Sequence, residues 1–233
     1  MNQAALTSGI RSRDTGIGAA TGDSTTNCIA RDIRTAHRRR WPNKPVRLVT
    51  STWLLASSPV LQLLLIHRWV RRLDTLRKQG GRIGWMANTG LAALMLPKWI
   101  TQIRAKCELN KEMALDGGVN FSEHGNIFFG AIQAGTGLVV GSRVTAGSSH
   151  VDGGMPRIGR NVWIGSDCVL YGSINIGDGA TLLPGTVLTK SIPAGVVMQG
   201  NPARLVRKNF DNTALRALSD KQSLDYVTSL QGG

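Results

Sequence analysis

A mainly β fold, a left-handed parallel β-helix preceded by an α-helical region and followed by a short helical tail, is predicted by three observations. Aliphatic residues recur every six positions at Ile158, Ile164, Leu170, Ile176, Leu182 and Leu188. Small or aliphatic residues stand four positions after each, at Val162, Cys168, Ile174, Ala180, Thr186 and Ile192. Glycine follows the first position directly at Gly159, Gly165 and Gly177. No helix has that period, because positions at six and four smear around a 3.6-residue turn. A strand of two or three residues followed by a turn does. Three such repeats close a triangular coil, the apolar residues point inward, and coils stack at about 4.8 Å.

In chain order, the 233 residues suit one medium domain or two small ones, and 42% apolar content can bury a sizeable core. Residues 1–30 mix Gly, Ser, Thr, Asn and Ala without an apolar period, so an unstructured segment without a secretory signal is expected there, and a cytoplasmic location with it. Residues 31–107 read as a basic helical region. From Leu48 to His67 no formal charge occurs, over nearly the roughly 20 residues a bilayer span needs. Thr50, Ser51, Thr52, Ser57, Ser58, Pro59 and Gln62 dilute that stretch, so a helix packed on protein or lying in the membrane interface is expected. Ile83 to Pro97, with Trp85, Met86, Leu91, Leu94, Met95 and Leu96, reads as another helix. Between the two, Arg68, Arg71, Arg72, Arg77 and Lys78 flank apolar faces as in helices of peripheral membrane proteins.

Charge divides the chain. Before Glu108 there are 18 Lys and Arg against four Asp and Glu, and from Glu108 onward ten of each, so the net charge of +14 belongs to the first half. A basic half implies an anionic partner. No nucleic-acid motif is present and no aromatic interleaves Arg38, Arg39 and Arg40, so nucleic acid is not expected. Cys28, Cys107 and Cys168 are odd in number and widely spaced, which argues against a disulfide framework or zinc knuckle and for a reducing compartment.

The six-residue grid extends upstream. Phe128, Ala134, Val140 and Ala146 meet the phase of Ile158, while Leu109, Leu115 and Phe121, with Met113 and Val119 four residues on, form an earlier grid offset by one. The β-helix is assigned to 108–206 and the tail to 207–233. Asp152 falls on an inward position, so Ser148 to Pro156 is predicted to leave the stack as a loop, where a rigid solenoid builds its sites.

The stretch from Pro156-Arg157-Ile158-Gly159 to Gly200-Asn201-Pro202-Ala203-Arg204-Leu205-Val206, in which IGRNVWIGSDCVLYGSINIGDGATLLPGTVL ends in GNPARLV, resembles the hexapeptide-repeat acyltransferases, within them the serine acetyltransferase-like branch. The resemblance covers roughly Leu61 to Lys208. The helical stretch before Leu109 is similar to the shortened N-terminal region of branch members associated with surface-polysaccharide synthesis. The resemblance implies an acetyl-CoA-dependent O-acetyltransferase, a homotrimer, and acetyl-CoA in the groove between adjacent β-helices, here lined from Trp163 through Lys190 and Arg204. The acceptor expected is a sugar hydroxyl of a surface-polysaccharide precursor at the inner face of a membrane, with serine as the alternative. A non-catalytic, membrane-attached scaffold is the rival from another class.

Acetyl transfer to a hydroxyl needs a base, and the histidine pKa suits that work at neutral pH. His37, in a basic segment expected to be flexible, and His67, at a helix end, read as structural or solvated. His124, in Ser122-Glu123-His124-Gly125, falls where the family has an acidic residue followed by His and is the candidate base. Glu108 resembles the family's aspartate about one coil earlier and is the candidate orienter, with Glu123 competing. Backbone N–H groups near Gly147 and Gly165 are candidates for holding the oxyanion. Serine acetyltransferases have Asp-Arg-His-Pro where this chain has Gly153-Gly154-Met155-Pro156. A serine carboxylate would lose there a charge-assisted partner worth about 1.5–3 kcal/mol, which favours an uncharged sugar hydroxyl. His150 in the same loop is a candidate replacement. No metal is expected, because a metal-dependent β-helix enzyme needs about three placed His ligands and only His124 and His150 lie in the solenoid.

Overall fold

In the computed structural model, which describes residues 24–149 and 153–231, the repeat becomes a three-sided stack of short parallel strands. The first face holds β1 (Cys107–Leu109), β4 (Ile127–Phe129), β7 (Thr145–Gly147), β10 (Val169–Tyr171) and β13 (Val187–Leu188). The second holds β2 (Ala114–Leu115), β5 (Gln133–Ala134), β8 (Arg157–Ile158) and β11 (Asn175–Ile176). The third holds β3 (Asn120–Phe121), β6 (Val139–Val140), β9 (Trp163–Ile164), β12 (Thr181–Leu182) and β14 (Val197–Gln199), and ends in the antiparallel β15 (Arg204–Arg207). It is a left-handed β-helix of about 5 turns. Arg157 pairs with Asn175, Trp163 with Thr181 and Val169 with Val187, an eighteen-residue coil. Ile158, Ile164, Leu170, Ile176 and Leu182 are fully buried, and so are Val162, Cys168, Ala180 and Thr186 four positions behind. Burying each Leu or Ile contributes about 1.5–3 kcal/mol.

Two irregularities shape the surface. Leu109 pairs with Phe129, and Phe129 in turn pairs with Ala146, so the coils on either side of β4 span twenty and seventeen residues instead of eighteen. Phe128, expected inward, is therefore about half exposed, and Phe129 takes the core position, edge-on to Phe121 at 5.2 Å. The three-residue strand alternates, burying Ile127 and Phe129 and turning Phe128 out. The second irregularity is an insertion: Gln133 pairs with Arg157, six residues beyond a regular coil. Those additional residues form the predicted loop after Gly147. His150 within it lies outside the described residues.

Four helices precede the stack: α1 (Thr25–Arg40), α2 (Leu48–Ser57), α3 (Pro59–Arg77) and α4 (Gly81–Ala105). The helix α1 begins inside the segment read as unstructured, with the Ser24 hydroxyl accepting from the Asn27 N–H. The uncharged stretch 48–67 is not one helix. Pro59 at the first position of α3 and the Ser58 cap break it, and α2 and α3 meet at 91°. Together the two have the length and composition of a broken span, but among the described residues no single helix is long and apolar enough to cross a membrane.

A buried ionic clamp ties these helices to the first coil. Arg68 of α3 donates Nε to Asp32 of α1 (2.9 Å), Nη1 to the Leu115 carbonyl (2.6 Å) and Nη2 to the Asp116 carbonyl (2.7 Å). The other Asp32 oxygen accepts the N–H groups of Gly118 (2.8 Å) and Val119 (3.1 Å). Burial pushes the Asp32 carboxyl up to about 6, against the pull of Arg68 and the two amides. A Cβ on Gly117 would stand 2.8 Å from the Cys28 backbone, so glycine permits the close approach of α1.

After the stack, α5 (Thr213–Ala217) and α6 (Asp220–Gln231) fold back over the third face. Leu215 and Val227 bury Val139, Trp163, Leu183 and Val197. Asn212 fixes this return, donating Nδ2 to the carbonyls of Asn161 (2.9 Å) and Gly179 (3.1 Å).

Candidate functional site

His124 sits on the corner between β3 and β4. Gly125 (φ 69°) and Asn126 (φ 57°) both turn left-handed there. A Cβ on Gly125 would meet the Lys106 Cβ at 2.7 Å and the Ala105 carbonyl at 2.8 Å, so the corner closes only with glycine. The His124 side chain is 77% exposed. Its Nδ1 stands 3.3 Å from Ser122 Oγ and 3.6 Å from Asp220 Oδ2. Ser122 Oγ donates to Asp220 at 2.6 Å, so its oxygen is left to accept from Nδ1–H. That arrangement puts the Nε2 lone pair outward, and among the described residues no protein group bonds it. The far side of Asp220 is held by Arg39 at 2.8 Å. Thus α1, the solenoid corner and the first turn of α6 meet at His124.

The sequence reading missed Asp220. It lies ninety-odd residues away on an element with no repeat, and only its place in Ser219-Asp220, at the start of a helical pattern, marked it. Glu123, the competing orienter, faces Arg40 at 3.3 Å, both about half exposed. His124 borders two cavities. One of about 190 Å³ runs toward the helices, past Arg39, Arg40, Leu54 and Phe121. The other, about 430 Å³, runs along α6 past Arg143, Trp163, Asp167 and Lys221.

Glu108 stands elsewhere. It points outward from β1 beside Phe128 and lines a cavity of about 520 Å³ that does not include His124. Gly147 and Met155 share that cavity, as do Lys98, Trp99, Asn110, Lys111 and Glu112. Three of the sequence candidates, Glu108, Gly147 and Met155, are thereby brought together. Met155 is held there by the Asn110 amide, which donates to its sulfur at 3.3 Å. Burial, aided by the Lys111 charge, keeps Lys98 below the usual ammonium range, while Glu108 works against it.

The remaining candidates scatter. Gly165 already donates its N–H to the Leu182 carbonyl at 2.8 Å, so it is not an oxyanion donor. Trp163, expected in an open groove with Lys190 and Arg204, is 4% exposed beneath α5 and α6, because its indole extends the apolar seam of Val139 and Val197. Lys190 borders a cavity of about 650 Å³ at the last coil, with Pro193, Met198, Pro202 and Lys208. Arg204 is exposed on β15. His37 is not in a flexible segment: it is fully buried in α1 against Trp41 at 5.2 Å. His67 is buried, its Nε2 3.4 Å from the Met113 carbonyl. Buried thiols offer no nucleophile, since burial pushes Cys107 and Cys168 up to about 12.

The stack is a β-helix of hexapeptide repeats, and the family model described as bacterial transferase hexapeptide (six repeats) matches residues 155–190. Among curated relatives, a chloramphenicol acetyltransferase of Agrobacterium fabrum is 34% identical over 73 residues, covering 31% of this chain and 35% of that protein. A galactoside O-acetyltransferase of Escherichia coli is 45% identical over 54 residues, 23% of this chain and 27% of that protein. Serine acetyltransferase 2 of Arabidopsis thaliana is 27% identical over 152 residues, 64% and 47% respectively. The chain spans about a third of the length of the first two. The fold is that of solved serine acetyltransferases. The Neisseria gonorrhoeae structure has a TM-score of 0.62 at 20% identity over 80% of this chain and 68% of that one. The Brucella abortus complex with coenzyme A has a TM-score of 0.62 at 18% identity over 78% and 68%.

Proposed function

We propose that this protein is an acetyl-CoA-dependent O-acetyltransferase whose general base is His124. The observation that carries the reading is the corner itself: Nδ1 is held by Ser122 and Asp220, and Nε2 faces outward with its lone pair free. In the step proposed, Nε2 removes the acceptor hydroxyl proton as the oxygen attacks the thioester carbonyl. The tetrahedral oxyanion collapses, the CoA sulfur leaves, and the imidazolium returns the proton to it. Asp220, acting through Ser122, would fix the tautomer and stabilise the imidazolium. The Lys190 and Lys208 ammoniums bordering the last-coil cavity suit the phosphates of CoA. The named relatives transfer acetyl groups, and one neighbour was solved with coenzyme A. A homotrimer is part of the proposal, because the resemblance to the hexapeptide-repeat acyltransferases implies one.

The acceptor we favour is a sugar hydroxyl, since Gly153-Gly154-Met155 offers no cation for a serine carboxylate. The galactoside O-acetyltransferase match supports it. Serine is the second reading, and a specific observation supports it: the cavity at Glu108 presents two carboxylates, Glu108 and Glu112, and two ammoniums, Lys98 and Lys111, the charge set an amino-acid zwitterion requires. The test is purified protein with acetyl-CoA against serine and a panel of nucleotide sugars, following free thiol. Sugar-dependent release supports the reading, serine-dependent release selects the second, and no release with any acceptor overturns the enzyme assignment.

A further inference from the structure

The helix α4 is built inside out. Its buried side consists of Gly84, Ala87, Lys98, Thr101 and Ala105, and apart from Lys98 these are small residues that let α3 approach closely. A Cβ on Gly84 would stand 3.1 Å from the Arg77 carbonyl, and one on Gly90 3.2 Å from the Leu73 side chain. The large apolar side chains point the other way. Trp85 is 72% exposed, Leu96 63% and Ile103 56%, with Met86, Trp99 and Ile100 beside them. A helix on a protein surface normally turns such residues to the core. The separations of eleven and seven residues put Trp85, Leu96 and Ile103 on one line, about 27 Å long at 1.5 Å per residue.

We propose that this stripe lies in the plane of an anionic lipid surface. Charge names the occupant. The helix α4 contains no Asp or Glu, the exposed Arg82 stands before the stripe, and the exposed Arg104 and Lys106 end it. The whole net charge of +14 belongs to this half, so a second copy laid on the stripe would bring a like-charged surface against it. Anionic headgroups supply the opposite charge, and Trp is suited to the interface. A helix with one apolar face and cations at both ends suits the plane of the interface. Met95 and Trp99, at the edge of the stripe, also line the cavity of Glu108, so docking sets that cavity, apart from the His124 corner, beside the lipid.

The test is co-sedimentation of the full chain with vesicles of phosphatidylglycerol and phosphatidylcholine, or of phosphatidylcholine alone. The wild type is expected to partition onto the anionic vesicles. Trp85→Ser/Leu96→Ser/Ile103→Ser should lower partition at least tenfold, and Arg82→Gln/Arg104→Gln about fivefold for each cation removed, with unchanged melting temperature and CoA-induced shift. Should the serine variant melt early, the arginine variant decides. Absence of wild-type partition, or unchanged partition in the variants, overturns the proposal. So does a fall in native mass of the serine variant, which makes the stripe a contact between copies. Retained partition with no CoA shift in any protein leaves the docking standing and removes the acyltransferase reading.

Discussion

The solenoid and the helical half differ in how many charged and polar residues they bury. Inside the stack every inward side chain from Ile158 to Leu182 is aliphatic or small and fully enclosed. In the helices the buried set includes Asp32, His37, His67, Arg68 and Lys98, while Trp85, Leu96 and Trp99 stand in solvent. His37 is buried with neither ring nitrogen bonded among the described residues. The solenoid is therefore held by apolar burial that repeats coil after coil, and the helices by one apolar cluster of Leu54, Val60, Leu61, Leu63 and Leu64 together with a few specific polar contacts. His124 lies on the junction of the two regions, between Arg39 of α1 and the corner of the second coil.

The largest effect expected tests whether chemistry belongs to this corner. His124→Ala should lower turnover by about 10²–10⁴ with the melting temperature unchanged, since a positioned base contributes that much. A variant of near-normal turnover removes the assignment. Asp220→Asn, Glu108→Gln and Glu123→Gln then divide the orienting role. The geometry expects the greatest loss in kcat from Asp220→Asn. A greater loss from Glu108→Gln would move the reacting centre to the cavity on the first face.

Next in size is the clamp. Asp32→Ala leaves the Arg68 guanidinium buried without its carboxylate and should cost about 3–5 kcal/mol by chemical denaturation. Ile176→Val in the solenoid should cost only about 0.5–1.5 kcal/mol, the loss of one methyl from a wall that repeats. Equal losses would show that the junction is no more specific than the stack. Asp32→Leu/Arg68→Met, which removes both charges, should recover most of the stability.

This contrast also explains what could be read in the sequence. Strand, turn and inward position repeat locally every six residues, so 158–192 was legible to the residue. Legibility failed at Phe128, because the coil from Phe129 to Ala146 is one residue short and so reverses in from out on β4. It failed again at Trp163, because an outward position on the third face is covered by α5 and α6, which no repeat announces. His124 was legible because its corner belongs to the stack. Asp220 was not, because it reaches His124 only through the folding back of the tail. Asp32 and Arg68 looked like two more charges in a basic half, and only the close approach of α1 at Gly117 makes them a pair.

His67 gives a smaller effect with a definite sign. Burial, opposed by the Met113 carbonyl and reinforced by the charges of Arg71, Lys98 and Arg68, holds it at about 4 instead of 6.5. The folded pKa is depressed, so between 6.5 and about 4 the unfolded chain takes the proton first. Stability is therefore lost as pH falls through that window, by about 2 kcal/mol between pH 7 and pH 5. His67→Gln should lose that share of the pH dependence, and the difference between the two proteins isolates it from Asp32, whose raised pKa acts with the opposite sign. Parallel pH profiles would show that folding leaves the His67 pKa unshifted.

The smallest signal compares the two regions by their opening. Cys28 lies on the buried side of α1, Cys107 at the first strand and Cys168 inside the stack, and all three are buried. Burial pushes Cys107 and Cys168 up to about 12, so neither is a thiolate at neutral pH. A disulfide reagent should therefore give no rapid phase with the native protein, which leaves the thiol of released CoA readable above background. Slow labelling reports local opening, whose free energy varies across a structure. The stack buries apolar side chains in every coil whereas α1 adds only Cys28 to the buried apolar set and is tied mainly by Asp32, so Cys28 should label first, Cys107 next and Cys168 only with global unfolding. Asp32→Ala should accelerate Cys28 and leave the rate at Cys168 nearly unchanged, read by peptide mass after timed quenching. A common rate for all three cysteines would mean that helices and solenoid open as one unit, and the division drawn between them would fail.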